Sequence, residues 1–285
     1  MKETTISKQL NAATDKLRAA GIDSARLDAE VLLAYVLNTR RLALYVHVAK
    51  ELTDEQIFRY NNLIQRRLDR VPVAYLTGHK EFMGLNFAVT PDVLIPRPDT
   101  EVLAQGVIEH LQEFHRDIKM ADIGTGSGAI CISILKFLDN ITADAVDISP
   151  QALDIARFNA EKFNVTDRIT FHEGNLFEPL AGKKFDVIIS NPPYVSTGDF
   201  ATIQPEVADE PRIALDGGAD GLDFYRTIVT EAPKFLSDDG FLAVEIGADQ
   251  AEAVTELMLA GKVFKYIQVW KDLGNIERVV AAWKK

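Results

Sequence analysis

Met120-Ala121-Asp122-Ile123-Gly124-Thr125-Gly126-Ser127-Gly128-Ala129 runs from an apolar strand pattern through three alternating glycines into a helical pattern. Glycine there lets the backbone turn tightly and lets a ligand approach it. Gly124, Gly126 and Ala129 also satisfy the alanine-ended dinucleotide fingerprint, so the loop alone leaves two cofactor classes open. Asp147 ends the next strand about 20 residues on, where a carboxylate accepts ribose hydroxyls in either class. Asp122, just before the first glycine, suits an acceptor for a methionine-like ammonium or for loop amides. Thr125 and Ser127 complete the candidate cofactor loop.

Outward from this loop the chain alternates strand and helix. Strands are expected at Lys119 to Ile123, Ala143 to Ile148, Ile169 to Glu173, Phe185 to Ser190 and Phe241 to Ile246. Helices are expected near Ala129 to Leu138, Pro150 to Phe163, Asp223 to Leu236 and Ala248 to Leu259. Such alternation builds a parallel sheet covered on both faces. The ending differs, because Lys265 to Trp270 and Arg278 to Trp283 are joined by a short turn containing Gly274, which leaves no room for a crossover helix. They must pair as an antiparallel hairpin. The expected fold class is therefore α/β: a Rossmann-like, seven-stranded, mostly parallel sheet closed by an antiparallel C-terminal hairpin. This is the architecture of class I S-adenosylmethionine-dependent methyltransferases.

The fourth of these strands ends in Asn191-Pro192-Pro193-Tyr194. Ligands of open α/β sheets bind at the carboxyl ends of strands. Each proline fixes its own φ, and Pro192 holds Asn191 extended. Asn191 then offers a side-chain carbonyl, the turn at Pro192 and Pro193 offers backbone carbonyls, and Tyr194 offers a ring face. Together they suit a planar NH2 group. A hydride-transfer enzyme needs no such clamp, which favours S-adenosylmethionine over a dinucleotide. At the third strand's end Asn175 suits an exocyclic amine of adenine, with Leu176 or Phe177 covering the ring.

From about Ser7 to Arg70 the pattern reads as helical. Leu10, Leu17, Leu27, Val31, Leu32, Tyr35 and Val36 recur near the 3.6 period, and Thr53 with Gln56 gives a capping box for a helix through Leu68. Arg59, Arg66, Arg67 and Arg70 suit either an acidic partner or a solvated helix face. From Tyr75 to Val89 the period shifts towards strands around Gly84. Ile95-Pro96-Arg97-Pro98 then forces an extended path to Asp99, which can cap a helix from Thr100. The organisation expected is a helical substrate-binding domain over 1–73, a β-hairpin linker over 74–98 and a catalytic domain over 99–285.

A chain of 285 residues with 47% hydrophobic and 26% charged content has ordinary globular composition. Its net charge of −11 argues against affinity built on phosphate neutralisation. The single cysteine, Cys131, sits in an apolar run, which excludes an internal disulfide and fits a reducing compartment. No apolar stretch reaches secretory or membrane-spanning length, so a soluble, cytoplasmic protein is expected. His47, His79, His110, His115 and His172 lack ligand spacing, and no metal is expected.

With these residues placed, the chain resembles the HemK-type release factor glutamine N5-methyltransferases. The likeness is carried by Tyr75-Leu76-Thr77-Gly78, Glu81-Phe82-Met83-Gly84, Ile95 to Glu101, the glycine loop, Asn191 to Tyr194, Glu210-Pro211 and Ala214-Leu215-Asp216-Gly217-Gly218. It implies S-adenosylmethionine as cofactor and a class 1 peptide chain release factor as partner. The implied acceptor is the glutamine of the factor's Gly-Gly-Gln motif, with the helical domain gripping the factor. Asn191, Pro192 and Tyr194 are the implied catalytic residues, and Pro193 and Arg97 join them in binding substrate; Thr100 and Glu101 would close the rim. The family carries an aspartate where Asn175 stands, and an amide oxygen accepts from adenine more weakly than a carboxylate. A monomer is expected. The rival readings are an adenine amino-methyltransferase, which would need a basic channel, and a binding module without turnover.

Overall fold

The computed structural model describes residues 4–285. They divide into two compact units, one of residues up to His79 together with Gln204–Asp209, the other of Lys80–Ile203 and Glu210–Lys285.

The first unit is helical: α1 Ile6–Ala19, α2 Ala25–Val36, α3 Arg41–Val46, α4 Asp54–Leu68 and α5 Val73–Thr77. The expected capping box opens α4, with the Thr53 hydroxyl accepting from Gln56 N at 3.2 Å and Gln56 Oε1 accepting from Thr53 N at 3.0 Å. Leu10, Leu17, Leu32, Val36, Tyr60 and Ile64 share one core. Leu27 and Tyr35, expected beside them, are exposed. The stripe buried along α2 is Ala25, Ala29, Leu32, Leu33 and Val36, and neither residue falls on it. Arg67 is not on a solvated face. It is buried, with Nε on Asp28 and Nη2 on Glu206, each at 2.8 Å. Arg70 also reaches Glu206, at 3.2 Å.

Tyr75 to Thr77, expected to begin the strands, closes α5 instead, and Gly78 ends that helix in the left-handed conformation. The hairpin itself is β1 His79–Phe82 and β2 Leu85–Ala88, turning at Met83 and Gly84, both with positive φ. Phe82 and Phe87 are fully buried in one of the two cores of the second unit. These two rings fasten the hairpin to the sheet unit. Buried Asn159 fastens it: its side chain pairs with both Ala88 N and Ala88 O, at 2.8 and 3.0 Å.

The second unit continues with α6 Glu101–Leu111, β3 Ile118–Ile123, α7 Ala129–Phe137, β4 Ile141–Asp147, α8 Pro150–Lys162, β5 Ile169–Glu173 and β6 Phe185–Ser190. After α9 Pro205–Ala208, which belongs to the helical unit, come α10 Asp223–Phe235, β7 Leu236–Glu245, α11 Ala251–Ala260, β8 Phe264–Lys271 and β9 Glu277–Lys284. The sheet order is β5-β4-β3-β6-β7-β9-β8. Strands β3 to β7 pair in parallel, and β9 is antiparallel to both β7 and β8. The seven-stranded, hairpin-closed sheet read from the sequence is the one observed. A 3-10 turn, Pro98–Thr100, precedes α6, and Asp99 is not a helix cap. It pairs with Arg278 of β9 at 2.8 Å, an attraction that no local pattern announces.

Strand order reverses between β3 and β6, the switch point where open sheets leave a crevice. Ile123 and Ser190 are in register there, so the glycine loop and the Asn-Pro-Pro-Tyr turn leave adjacent strand ends.

Candidate active site

Gly124, Gly126 and Gly128 have φ of 77°, 55° and 77°, a region that costs other residues about 1–2 kcal/mol. A Cβ at Gly124 or Gly126 would meet nothing within 4 Å, and both residues line a cavity of about 200 Å³. Gly128 has another reason to be glycine. Its Cβ would stand 2.6 Å from Ile132 Cδ1, so it serves helix packing and is off the cavity wall. Asn159 reaches this loop too, donating to Ser127 O at 2.9 Å.

Asp147, the last residue of β4, accepts from Gly126 N through Oδ2 at 2.8 Å and from Ser149 N through Oδ1 at 2.9 Å. Each oxygen keeps a second lone pair for a ligand. Burial raises its pKa against the pull of these amides. Asp122 lies beneath the loop, fully buried and off the wall. Its Oδ2 accepts from the Thr125 hydroxyl at 2.7 Å, while Oδ1 has no partner. Burial pushes this carboxyl up to about 7. Of the two roles open to Asp122, this position supports the loop; Thr125 and Ser127 themselves are on the wall.

Asn175 and Leu176 line the cavity, Leu176 at a φ of 49°. The Asn175 Nδ2 lies 3.5 Å from Glu178 Oε1, which leaves its carbonyl oxygen for a donor. Phe177 turns inward and stacks on Phe235, so Leu176 alone of the pair is placed to cover a ring.

Asn191, Pro192 and Pro193 reach the same wall. The Asn191 Nδ2 donates to the Thr100 hydroxyl at 3.3 Å, which leaves Oδ1 as the free end of the amide. Tyr194 is not brought to the cavity. Its ring packs against the sheet's second core. Burial, then the nearby Glu245 carboxyl, lifts its phenol to about 12. The turn is cradled by Gly217 and Gly221, where a Cβ would stand 2.8 Å from Pro193 O and 2.4 Å from Tyr194 O respectively. Gln250 Nε2 donates to Tyr194 O at 3.1 Å.

Arg97 and Thr100 are on the wall, and Glu101 is not. Glu101 Oε1 instead accepts from Met83 N at 2.8 Å, anchoring the hairpin turn. Buried Glu210 holds the rim, one oxygen accepting from Ile95 N at 2.9 Å and the other from the Arg97 guanidinium. Sequence reasoning missed the roles of Asn159, Glu210 and Gln250, and the wall residues Leu94, Ile213 and Phe224. The Glu210-Pro211 motif was the only signal among them.

Residues 8–78 match the family described as PrmC N-terminal domain, and residues 100–272 match the methyltransferase small domain. The chain is 41% identical over 281 residues to the release factor glutamine methyltransferase of Moorella thermoacetica, covering 99% of each chain. The chain belongs to the release factor glutamine methyltransferase family. Another relative of that name, from Geobacter sulfurreducens, is 44% identical over 277 residues, covering 97% of this chain and 95% of that one. In fold, the chain is also similar to a methyltransferase from Pyrococcus furiosus, with a TM-score of 0.52 at 20% identity over 79% of this chain and 98% of that one. The cradle fits the family's methyl donor. Open space above two glycines, a strand-end carboxylate and an apolar cover suit an adenosine carrying a methionine-like chain.

Proposed function

We propose that this protein transfers a methyl group from S-adenosylmethionine to the side-chain amide nitrogen of the glutamine in the Gly-Gly-Gln motif of class 1 peptide chain release factors. One observation carries the assignment of the acceptor site. Asn191 donates from Nδ2 to Thr100, which leaves Oδ1 as an acceptor facing the site and suits an N–H donor.

S-adenosylmethionine supplies the methyl group on a sulfonium, which is already electrophilic. Asp147 would take the ribose hydroxyls, Leu176 would cover the adenine and Asn175 would accept from its amine. Gly124, Thr125, Gly126 and Ser127 give the backbone its close approach, with Asp122 and Gly128 holding the loop's shape from behind. The acceptor is a poor nucleophile, because an amide nitrogen's lone pair is delocalised into the carbonyl. Asn191 Oδ1 and the Pro192 carbonyl accept its two N–H groups, fix its plane and favour the positive charge that develops on nitrogen. Pro193 stiffens the turn and Arg97 borders the entrance. Tyr194 supports the turn from the core side. The acceptor nitrogen would take the methyl group as the sulfur–methyl bond breaks, the electron pair staying on sulfur as a neutral thioether, and the methylated amide would then lose its proton to water.

We further propose a cytoplasmic monomer that acts on protein and not on nucleic acid. The net charge of −11 supports the last point, and no described helix is long and apolar enough to cross a membrane. Incubation with labelled S-adenosylmethionine and either release factor or DNA tests the assignment. Label is expected in the release factor alone and lost when its motif glutamine is replaced. Label in DNA, or in the glutamine-replaced factor, overturns it.

A further inference from the structure

Glu245 is the last residue of β7 and is 2% exposed. Ser190 and Val244 are in parallel register, so Glu245 and Asn191 leave neighbouring strand ends side by side. The Glu245 carboxyl lies beside the Thr100 hydroxyl and the Asn191 amide, which are bonded to one another at 3.3 Å, and its Oε2 has no partner. It forms no part of the cavity wall. Around it stand Asp99, Arg278 of β9, Tyr194 and Tyr225 of α10. Arg278 is committed to Asp99 and Asp272, each at 2.8 Å. The Tyr225 hydroxyl donates to the Glu245 backbone carbonyl at 2.9 Å.

A carboxyl this deeply buried is costly, and packing does not call for one. Ala243, Val244 and Ile246 beside it are apolar and buried. The acid has its effect on the group in front of it. An asparagine amide fits its space in two orientations, and the flipped one would turn N–H donors towards an acceptor NH2 that is itself a donor.

We propose that Glu245 is a positioning residue for methyl transfer, taking the donor side of the Asn191 amide, directly and through Thr100, and so presenting Asn191 Oδ1 to the acceptor NH2. The inference rests on the reading of Asn191 as the amide clamp. An ionised Glu245 also polarises the Asn191 amide towards Oδ1, which strengthens acceptance as positive charge grows on the acceptor nitrogen. Burial pushes the Glu245 carboxyl up to about 7. Turnover therefore rises with pH as Glu245 ionises.

The test measures release factor methylation by the wild type, E245Q and E245D across about pH 5.5 to 9, with cofactor affinity measured in parallel. E245Q is expected to lower kcat at least about tenfold, hold cofactor Kd within about twofold and lose the acid limb of the kcat profile. E245D is expected to restore the limb. Wild-type kcat with a wild-type acid limb in E245Q overturns the proposal. A second measurement needs no variant of Glu245: NMR of the Asn191 side-chain NH2 in the wild type, assigned by its loss in N191A. Titration of that signal near neutral pH is expected, and a signal unchanged from about pH 5 to 9 overturns the proposal. Should the wild type leave release factor unmethylated, the reading of the acceptor fails, and the NMR titration still decides the place of Glu245.

Discussion

The Ser190 hydroxyl donates to the Ile123 carbonyl across 2.7 Å, joining the final residues of β6 and β3. Both residues are fully buried, and the two loops that build the cavity start from them. This bond holds the Asn191 turn and the glycine loop in one register. Ser190→Ala leaves the Ile123 carbonyl without that donor, at a cost of about 1–3 kcal/mol. A lower denaturation midpoint with an unchanged denaturant slope is the expected outcome. Unchanged stability would show that the bond is replaced by another.

Two glycines of the loop separate binding from packing. Gly126→Ala puts a methyl into the open cavity, and a loss of cofactor affinity of at least about tenfold is expected from the steric block and backbone strain. Gly128→Ala drives a methyl against Ile132 instead, and its chief effect is on stability. Calorimetric titration beside thermal melting checks the pair. Equal effects of both on affinity contradict the division.

Asp147 holds the loop with both oxygens, and on the proposed reading the same two oxygens take the ribose. Asp147→Ala is expected to weaken cofactor binding by about 1.5–3 kcal/mol, the scale of hydrogen bonds to a charged acceptor. With saturating cofactor, kcat should fall far less. A kcat loss with unaltered cofactor Kd would move Asp147 out of the binding site.

The buried acid also sets a pH dependence of stability. Glu245 is raised from 4.5 to about 7 in the folded state, so the folded protein holds its proton over a range where the unfolded chain has lost it. Its contribution is therefore fully present below about pH 4.5 and is lost as pH rises towards 7. Relative to wild type, Glu245→Gln should gain stability steadily across that window and keep the advantage above it. Denaturation midpoints at a series of pH values read this directly, and a pH-independent difference contradicts it.

Much of this was legible in the sequence, because it rests on local chemistry. The glycine loop, Asp147 at a strand end and the amide-proline turn each announce themselves within a few residues, and strand–helix alternation fixes which ends of the sheet they share. The hairpin packed into the core, the buried Arg67 and the acids Glu210 and Glu245 were not legible. Their partners lie 39 residues away for Arg67 with Asp28 and 113 for Arg97 with Glu210, distances at which only the folded register brings them together. Tyr194 shows the same limit within one tetrapeptide. Its residue type suits the acceptor, but its ring packs against the sheet's second core.

Asn191 tests the account most directly. Methyl transfer from labelled S-adenosylmethionine to release factor, measured for Asn191→Ala with cofactor affinity determined on the same preparation, should fall by at least about 2.7 kcal/mol, on the order of a hundredfold, while cofactor Kd holds. Near-normal turnover with normal cofactor binding would contradict the clamp.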